Sequence, residues 1–102
     1  MAHKISARLR GKTILITGAS SGIGRSTAFE FARSSPGHLR LILTARRFAK
    51  LQDVQREIQD EVGSGVKILV RQLDSSNPEE IRQFVTGLPQ EWKNIDILVN
   101  NA

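Results

Sequence analysis

Cysteine is absent from all 102 residues. That excludes a disulfide framework, a thiolate metal site and a thiol nucleophile, and nothing calls for an oxidising compartment. A reducing cytoplasm is the expected location. No apolar run approaches the ~20 residues of a membrane span, and Met1 to Gly11 lacks the apolar stretch of a secretory signal. Acids are missing from the first twelve residues, where Lys4, Arg8, Arg10 and Lys12 stand without counter-charge. Those four hold most of the net charge of +5, leaving 11 basic against 10 acidic residues in the remainder. A nearly neutral body offers no basic face to a nucleic acid, so neither nucleic acid nor membrane is an expected partner. Residues 1–11 are expected to form a solvated basic arm.

The composition, 39% hydrophobic and 25% charged, is that of an ordinary globular domain, and the length leaves room for one. Lys12 to Thr17 is a short β-branched apolar run that reads as a buried parallel strand. After it, Ile23, Ala28, Phe31 and Ala32 recur at near-helical spacing until Ser34-Ser35-Pro36-Gly37 breaks the pattern. Leu39 to Ala45 is a second strand, followed by a helix whose stripe is Phe48, Leu51, Val54, Ile58 and Val62. Val66 to Leu73 is a third strand. Asn77 before Pro78, Glu79 and Glu80 then supplies an N-cap, a first-turn proline and first-turn acids. The third helix should bury Ile81, Phe84, Val85 and Leu88, with Trp92 packing the turn before a last strand, Ile95 to Val99. Asp53 with Glu57 and Asp60 with Glu61 read as solvated helix faces. The order β-α-β-α-β-α-β calls for an α/β fold, a doubly wound parallel sheet of Rossmann type with residues 12–102 as its N-terminal part.

Thr17-Gly18-Ala19-Ser20-Ser21-Gly22-Ile23-Gly24 lies where a strand runs straight into a helix. There the first-turn N–H groups lack partners and sit at the positive end of the helix dipole, ready for a phosphate. Glycine is needed where such a turn tightens, approaches the phosphates or packs the helix on the strand. Gly18, Gly22 and Gly24 suit those roles. A Walker loop does not fit, because Ile23 stands where its second glycine would be and Arg25 follows one place late for its lysine. The spacing Gly-x-Gly-x-x-Gly does not fit either.

The arrangement Thr-Gly-x-x-x-Gly-Ile-Gly resembles the short-chain dehydrogenase/reductase superfamily, as does Asn100-Asn101-Ala102 after the last strand. The likeness runs from Leu9 to Ala102. Leu43 to Arg47, Gln72-Leu73-Asp74 and the run Leu88 to Ala102 are most similar to the NADP-dependent 3-hydroxy acid (serine) dehydrogenases. The resemblance implies that Ser20 and Ser21 bind the adenosine phosphates and Ile23 the pyrophosphate through its backbone. It implies further that Asp74 and Ser75 bind the adenine, and Asn101 and Ala102 the nicotinamide-side ribose. Two plainer readings stay open: Asp74 as the cap of a turn, and Asn100 as a tie between strands.

An NAD site carries an acid at the end of the second strand, whereas an NADP site offers arginine there. Ala45 holds that place and Arg46 and Arg47 follow, so NADP is the expected cofactor. Solvated arginines starting a helix are the alternative. The superfamily's proton donor is a Tyr-x-x-x-Lys pair on a later helix, and this sequence has no tyrosine. No catalytic residue is therefore expected in it. Hydride transfer between NADP(H) and a small 3-hydroxy acid or similar alcohol, in a homo-oligomer, is expected only of a complete protein. The chain reads as the front of a longer reductase or a truncated gene product. A non-catalytic NADP(H)-binding or protein-interaction module is the alternative. A sheet ending at Ile95 to Val99 would leave an apolar edge and an uncovered face, and hence low stability.

Overall fold

The computed structural model describes residues 8–74 and 76–101; Ser75 and Ala102 fall outside the described residues. Four short β-branched runs form one parallel sheet: β1 Lys12–Ile16, β2 Leu39–Ala45, β3 Val66–Gln72 and β4 Ile97–Val99. The helices between them are α1 Gly22–Ser34, α2 Phe48–Val62 and α3 Pro78–Thr86, with a 3-10 turn over Gln90–Trp92. The strand order is β3-β2-β1-β4, all parallel, with Ile14 opposite Leu41 on one side and Ile97 on the other. This is a doubly wound parallel sheet, as expected from the sequence, with β1 and β2 inside it.

Alternation along the central strands divides the core between two faces. Ile14, Ile16, Leu41 and Leu43 pack with Ala28, Phe29, Ala32, Leu51, Val54 and Ile58 of α1 and α2. Leu15 and Ile42 point the other way, against Leu88 and Trp92, with Phe84 and Val85 of α3 beside them. Fully burying a side chain such as Ile14 or Leu41 stabilises by about 1.5–3 kcal/mol, so β1 and β2, dry on both faces, anchor the sheet.

Several details differ from the sequence reading, each for a local reason. Of the expected arm, residues 1–7 lie outside the described residues; at its end Leu9 is buried in the α1 and α2 core, and the Gly11 amide donates to the His38 carbonyl at 2.6 Å. In α1 the buried phenylalanine is Phe29 rather than Phe31, because Phe29 faces α2 and lies under the guanidinium groups of Arg25 and Arg33, at 4.6 and 5.2 Å. Glu57 and Glu61 are not free solvated acids; they pair across the helices with Arg25 and Arg33. Phe48 stays 40% exposed at the start of α2. In α3 no residue is fully buried, since only its inner side meets the sheet. The last strand begins at Ile97 because Asp96 takes over the pairing of Thr13: its carboxylate accepts the Thr13 amide and its own amide donates to the Thr13 carbonyl, each at 2.9 Å. Among the described residues β4 pairs on one edge only, and Leu98 is 52% exposed. No helix among the described residues is long and apolar enough to cross a membrane.

Candidate functional site

Chain direction in the sheet changes at β1, since α1 carries the chain to β2 on one side while β4 joins from the other. Ligands bind beyond the carboxyl ends of parallel strands at such a switch point. A cleft of about 950 Å³ opens there, walled by the β1–α1 turn, the end of β2, the start of α2 and the chain after β3.

The turn is shaped by three glycines for three reasons. Gly18 has φ +60°, and a Cβ on it would overlap the Asn101 carbonyl oxygen, so both conformation and space demand glycine. Gly24 would drive a Cβ into the Gly18 carbonyl, which fixes how closely α1 sits over the strand. Gly22, at φ +59°, has open space around it and serves the backbone reversal alone. Ser21 is the N-cap in extended geometry, with its side chain unused as a cap, and the first turn of α1 has no acid. The first amide to bond back is that of Arg25, to the Ser21 carbonyl at 3.4 Å. Gly18, Ser20, Ser21, Ile23 and Gly24 of this turn line the cleft, and their amides with the two serine hydroxyls make a donor set suited to an anion.

Thr17, fully buried, ties this turn to β4. Its hydroxyl donates to Asn100 Oδ1 at 2.8 Å and accepts the Asn101 amide at 2.9 Å, while its own amide donates to the Val99 carbonyl at 3.0 Å. Asn100 thus acts as the strand tie. Asn101 reaches the cleft, and among the described residues its Nδ2 is buried without a partner, as is the hydroxyl of Thr44. A buried amide donor left open costs free energy, and a polar ligand group at this wall would satisfy it.

At the other end of the cleft Arg46 and Arg47 follow Ala45, and their turn is held from β3. The Leu73 amide donates to the Ala45 carbonyl at 3.0 Å and Gln72 Nε2 to the Arg46 carbonyl at 3.1 Å. Arg47 is the N-cap of α2, with no side-chain cap and no acid in the first turn. Asp74 Oδ1 accepts the Ser76 amide at 3.1 Å, the turn-cap geometry. The amide and hydroxyl of Ser76 hold its carboxyl below the usual range, outweighing the opposing effect of burial, and the charge of Arg46 adds to them.

The cleft therefore brings together Gly18, Ser20, Ser21, Ile23, Gly24, Arg46, Arg47, Asp74 and Asn101. Gly22 instead lines a neighbouring groove of about 550 Å³ along the outer side of α1, with Leu9, Phe31 and the exposed side chain of Ile23. Ser75 and Ala102 lie outside the described residues. Sequence reasoning missed Lys50, Leu73 and Ser76. Lys50 had a signal, being a cation four residues after Arg46 in the first turn of a helix.

The family model for short chain dehydrogenases matches residues 12–102. An NADP-dependent 3-hydroxy acid dehydrogenase of Schizosaccharomyces pombe is 47% identical over 96 residues, covering 94% of this chain and 36% of the relative. Human retinol dehydrogenase 11 is 39% identical over 97 residues, covering 95% of this chain and 29% of that protein. The crystal structure of L-sorbose reductase from Gluconobacter frateurii with NADPH and L-sorbose superposes with a TM-score of 0.77 at 34% identity, over 92% of this chain and 34% of that one. The chain spans about a third of the length of the relatives it matches.

Proposed function

Since the chain belongs to the short-chain dehydrogenase family, we propose that it binds NADP(H) in the cleft and supplies the cofactor half of a hydride-transfer site. One observation carries this reading: an anion-binding helix start and a pair of arginines line a single cleft, with Ala45 where an acid would select NAD. The residues present fit such a dinucleotide. Gly18 and Gly24 let the turn pack closely against Asn101 and under α1, and the amides and hydroxyls of the Ser20 to Gly24 turn suit a pyrophosphate. The orphaned Nδ2 of Asn101 suits a ribose or carboxamide oxygen. Asp74 and Ser76, with Ser75 between them, suit the adenine edge, and Arg46 and Arg47 suit the 2′-phosphate. Ala102, next to Asn101 in the sequence, is assigned to the nicotinamide side by the family resemblance alone. The nicotinamide, when bound, supplies or accepts the hydride.

This chain's own residues bind and orient. Thr17 fixes Asn101 against Gly18, and the donors at α1 neutralise the diphosphate without a full counter-charge. Proton donation falls to residues elsewhere, as this sequence has no tyrosine. In the complete protein the reaction is hydride transfer between NADP(H) and a small 3-hydroxy acid or similar alcohol, which the relative from Schizosaccharomyces pombe supports by name. The one-sided β4 and the apolar groove on α1 support further covering, by more polypeptide or by a second subunit of a homo-oligomer. The lack of cysteine supports a cytoplasmic setting.

The test is a fluorescence titration of the protein with NADPH and with NADH. NADPH should bind at least tenfold more tightly, and equal affinities would refute the cofactor assignment. Oxidation of small 3-hydroxy acids with NADP by the complete protein tests the substrate class; turnover confined to bulky alcohols would overturn it.

A further inference from the structure

We infer that Lys50 is a specificity-determining residue for the phosphate on the adenosine ribose, the third cation of a cluster with Arg46 and Arg47; this rests on the NADP(H) reading above. Lys50 lines the same cleft as both arginines and Asp74 and is exposed to it. It stands in the first turn of α2, a helix whose first turn has no acid and whose N-cap is itself an arginine. Cations are disfavoured at a helix N-terminus, where they face the positive end of the dipole.

The arginines within α1, α2 and α3 sharpen the contrast. Arg25, Arg33, Arg56 and Arg82 each meet a carboxylate. Among the described residues Arg46, Arg47 and Lys50 form no ion pair at all, while Asp74, the acid facing them, is engaged by Ser76. Three positive charges and one negative charge leave an excess of about two at this end of the cleft. A phosphate monoester carries about −1.5 to −2 at neutral pH and three terminal oxygens, which matches that excess in charge and in number of donors. The two guanidinium groups give fixed forks, and the lysine ammonium gives a mobile point charge able to follow the remaining oxygen. A ribose with a free 2′-hydroxyl offers Lys50 nothing comparable, so its effect is selective.

The experiment measures dissociation constants of wild type, Lys50→Ala, Lys50→Glu and Arg46→Ala for NADPH, NADH and adenosine 2′,5′-bisphosphate, with melting temperatures of the unliganded proteins. Lys50→Ala should weaken NADPH and the bisphosphate about tenfold and NADH less than twofold. It should also flatten the dependence of NADPH affinity on salt. Lys50→Glu should weaken NADPH further yet raise the unliganded melting temperature, because an acid at that position favours the helix. A purely structural lysine would not move affinity and stability in opposite directions. The inference is overturned if Lys50→Ala changes NADPH binding less than twofold, or weakens NADH by the same factor. If wild type does not prefer NADPH, the cofactor reading falls and Lys50's role with it. A wild-type preference that Arg46→Ala removes and Lys50→Ala does not would sink the role of Lys50 alone.

Discussion

Replacing Thr17 by valine tests how the glycine turn is held to the sheet. Thr17 is fully buried, so valine keeps the shape and removes only the hydroxyl. Two hydrogen bonds go with it, the 2.8 Å donation to Asn100 Oδ1 and the 2.9 Å acceptance from the Asn101 amide. Asn100 is exposed and can turn its oxygen to water, so its loss costs about 1 kcal/mol, whereas the half-buried Asn101 amide costs about 1–2 kcal/mol when orphaned. The added apolar methyl returns about 0.5–1 kcal/mol, leaving a net destabilisation of about 2 kcal/mol. Thr17→Ser keeps both bonds and loses one buried methyl, about 1 kcal/mol. Urea titration with a slope of about 1.5 kcal/mol/M should place the two variants about 1.3 M and 0.7 M below wild type. Thr17→Val should also weaken NADPH binding, because Asn101 then lies loosely against Gly18, while Thr17→Ser should not. A valine variant as stable as the serine variant would show that packing, and not the hydroxyl bridge, joins β1 to β4.

Gly24→Ala should lower stability by about 2–3 kcal/mol, because its Cβ meets the Gly18 backbone, which cannot swing aside. Gly22→Ala, strained only in φ, should cost about 1 kcal/mol; thermal melts that reverse this order would contradict the assignment of the two glycines. Arg46→Ala should weaken NADPH about 10- to 100-fold and NADH little, as one charge-assisted contact to phosphate is lost; equal losses in paired titrations would exclude a 2′-phosphate contact. Asp74 has its carboxyl held below the ordinary range, so its contribution to stability is present above the unfolded pKa of about 3.9 and is lost as pH falls through the lower folded value. Wild type and Asp74→Asn should therefore differ most in melting temperature above about pH 5 and converge at lower pH; a constant difference would rule out the ionised carboxylate as its source.

Much of the fold could be read from the chain because its signals are local. The run Lys12 to Thr17, the Asn77-Pro78 start of α3 and the glycine turn each declare themselves within a few residues, and α3 does start at Pro78 with the Asn77 side chain accepting the Glu79 amide at 3.0 Å. What stayed hidden depends on partners far along the chain. Phe29 outranks Phe31 because of α2, and Glu57 and Glu61 find arginines 32 and 28 residues away. The start of β4 is set by Asp96 reaching Thr13 across 83 residues. In the site, the glycines and arginines announced their chemistry by type and spacing. Lys50 gave less, since a first-turn lysine four residues after Arg46 is ordinary until the cleft beside it is known. Leu9 was concealed by its basic neighbours.

The contact between Gly18 and Asn101 also sets an order of events. The two residues meet backbone to backbone, and the hydroxyl bridge beside them spans 84 residues of chain. Closing so long a loop is entropically slow, and nothing local can substitute for it. During synthesis the glycine segment emerges well before its inner wall, which arrives only with β4 and Asn101. Newly made chains should therefore acquire cofactor affinity in one step, when β4 docks, and not by degrees as the helices form.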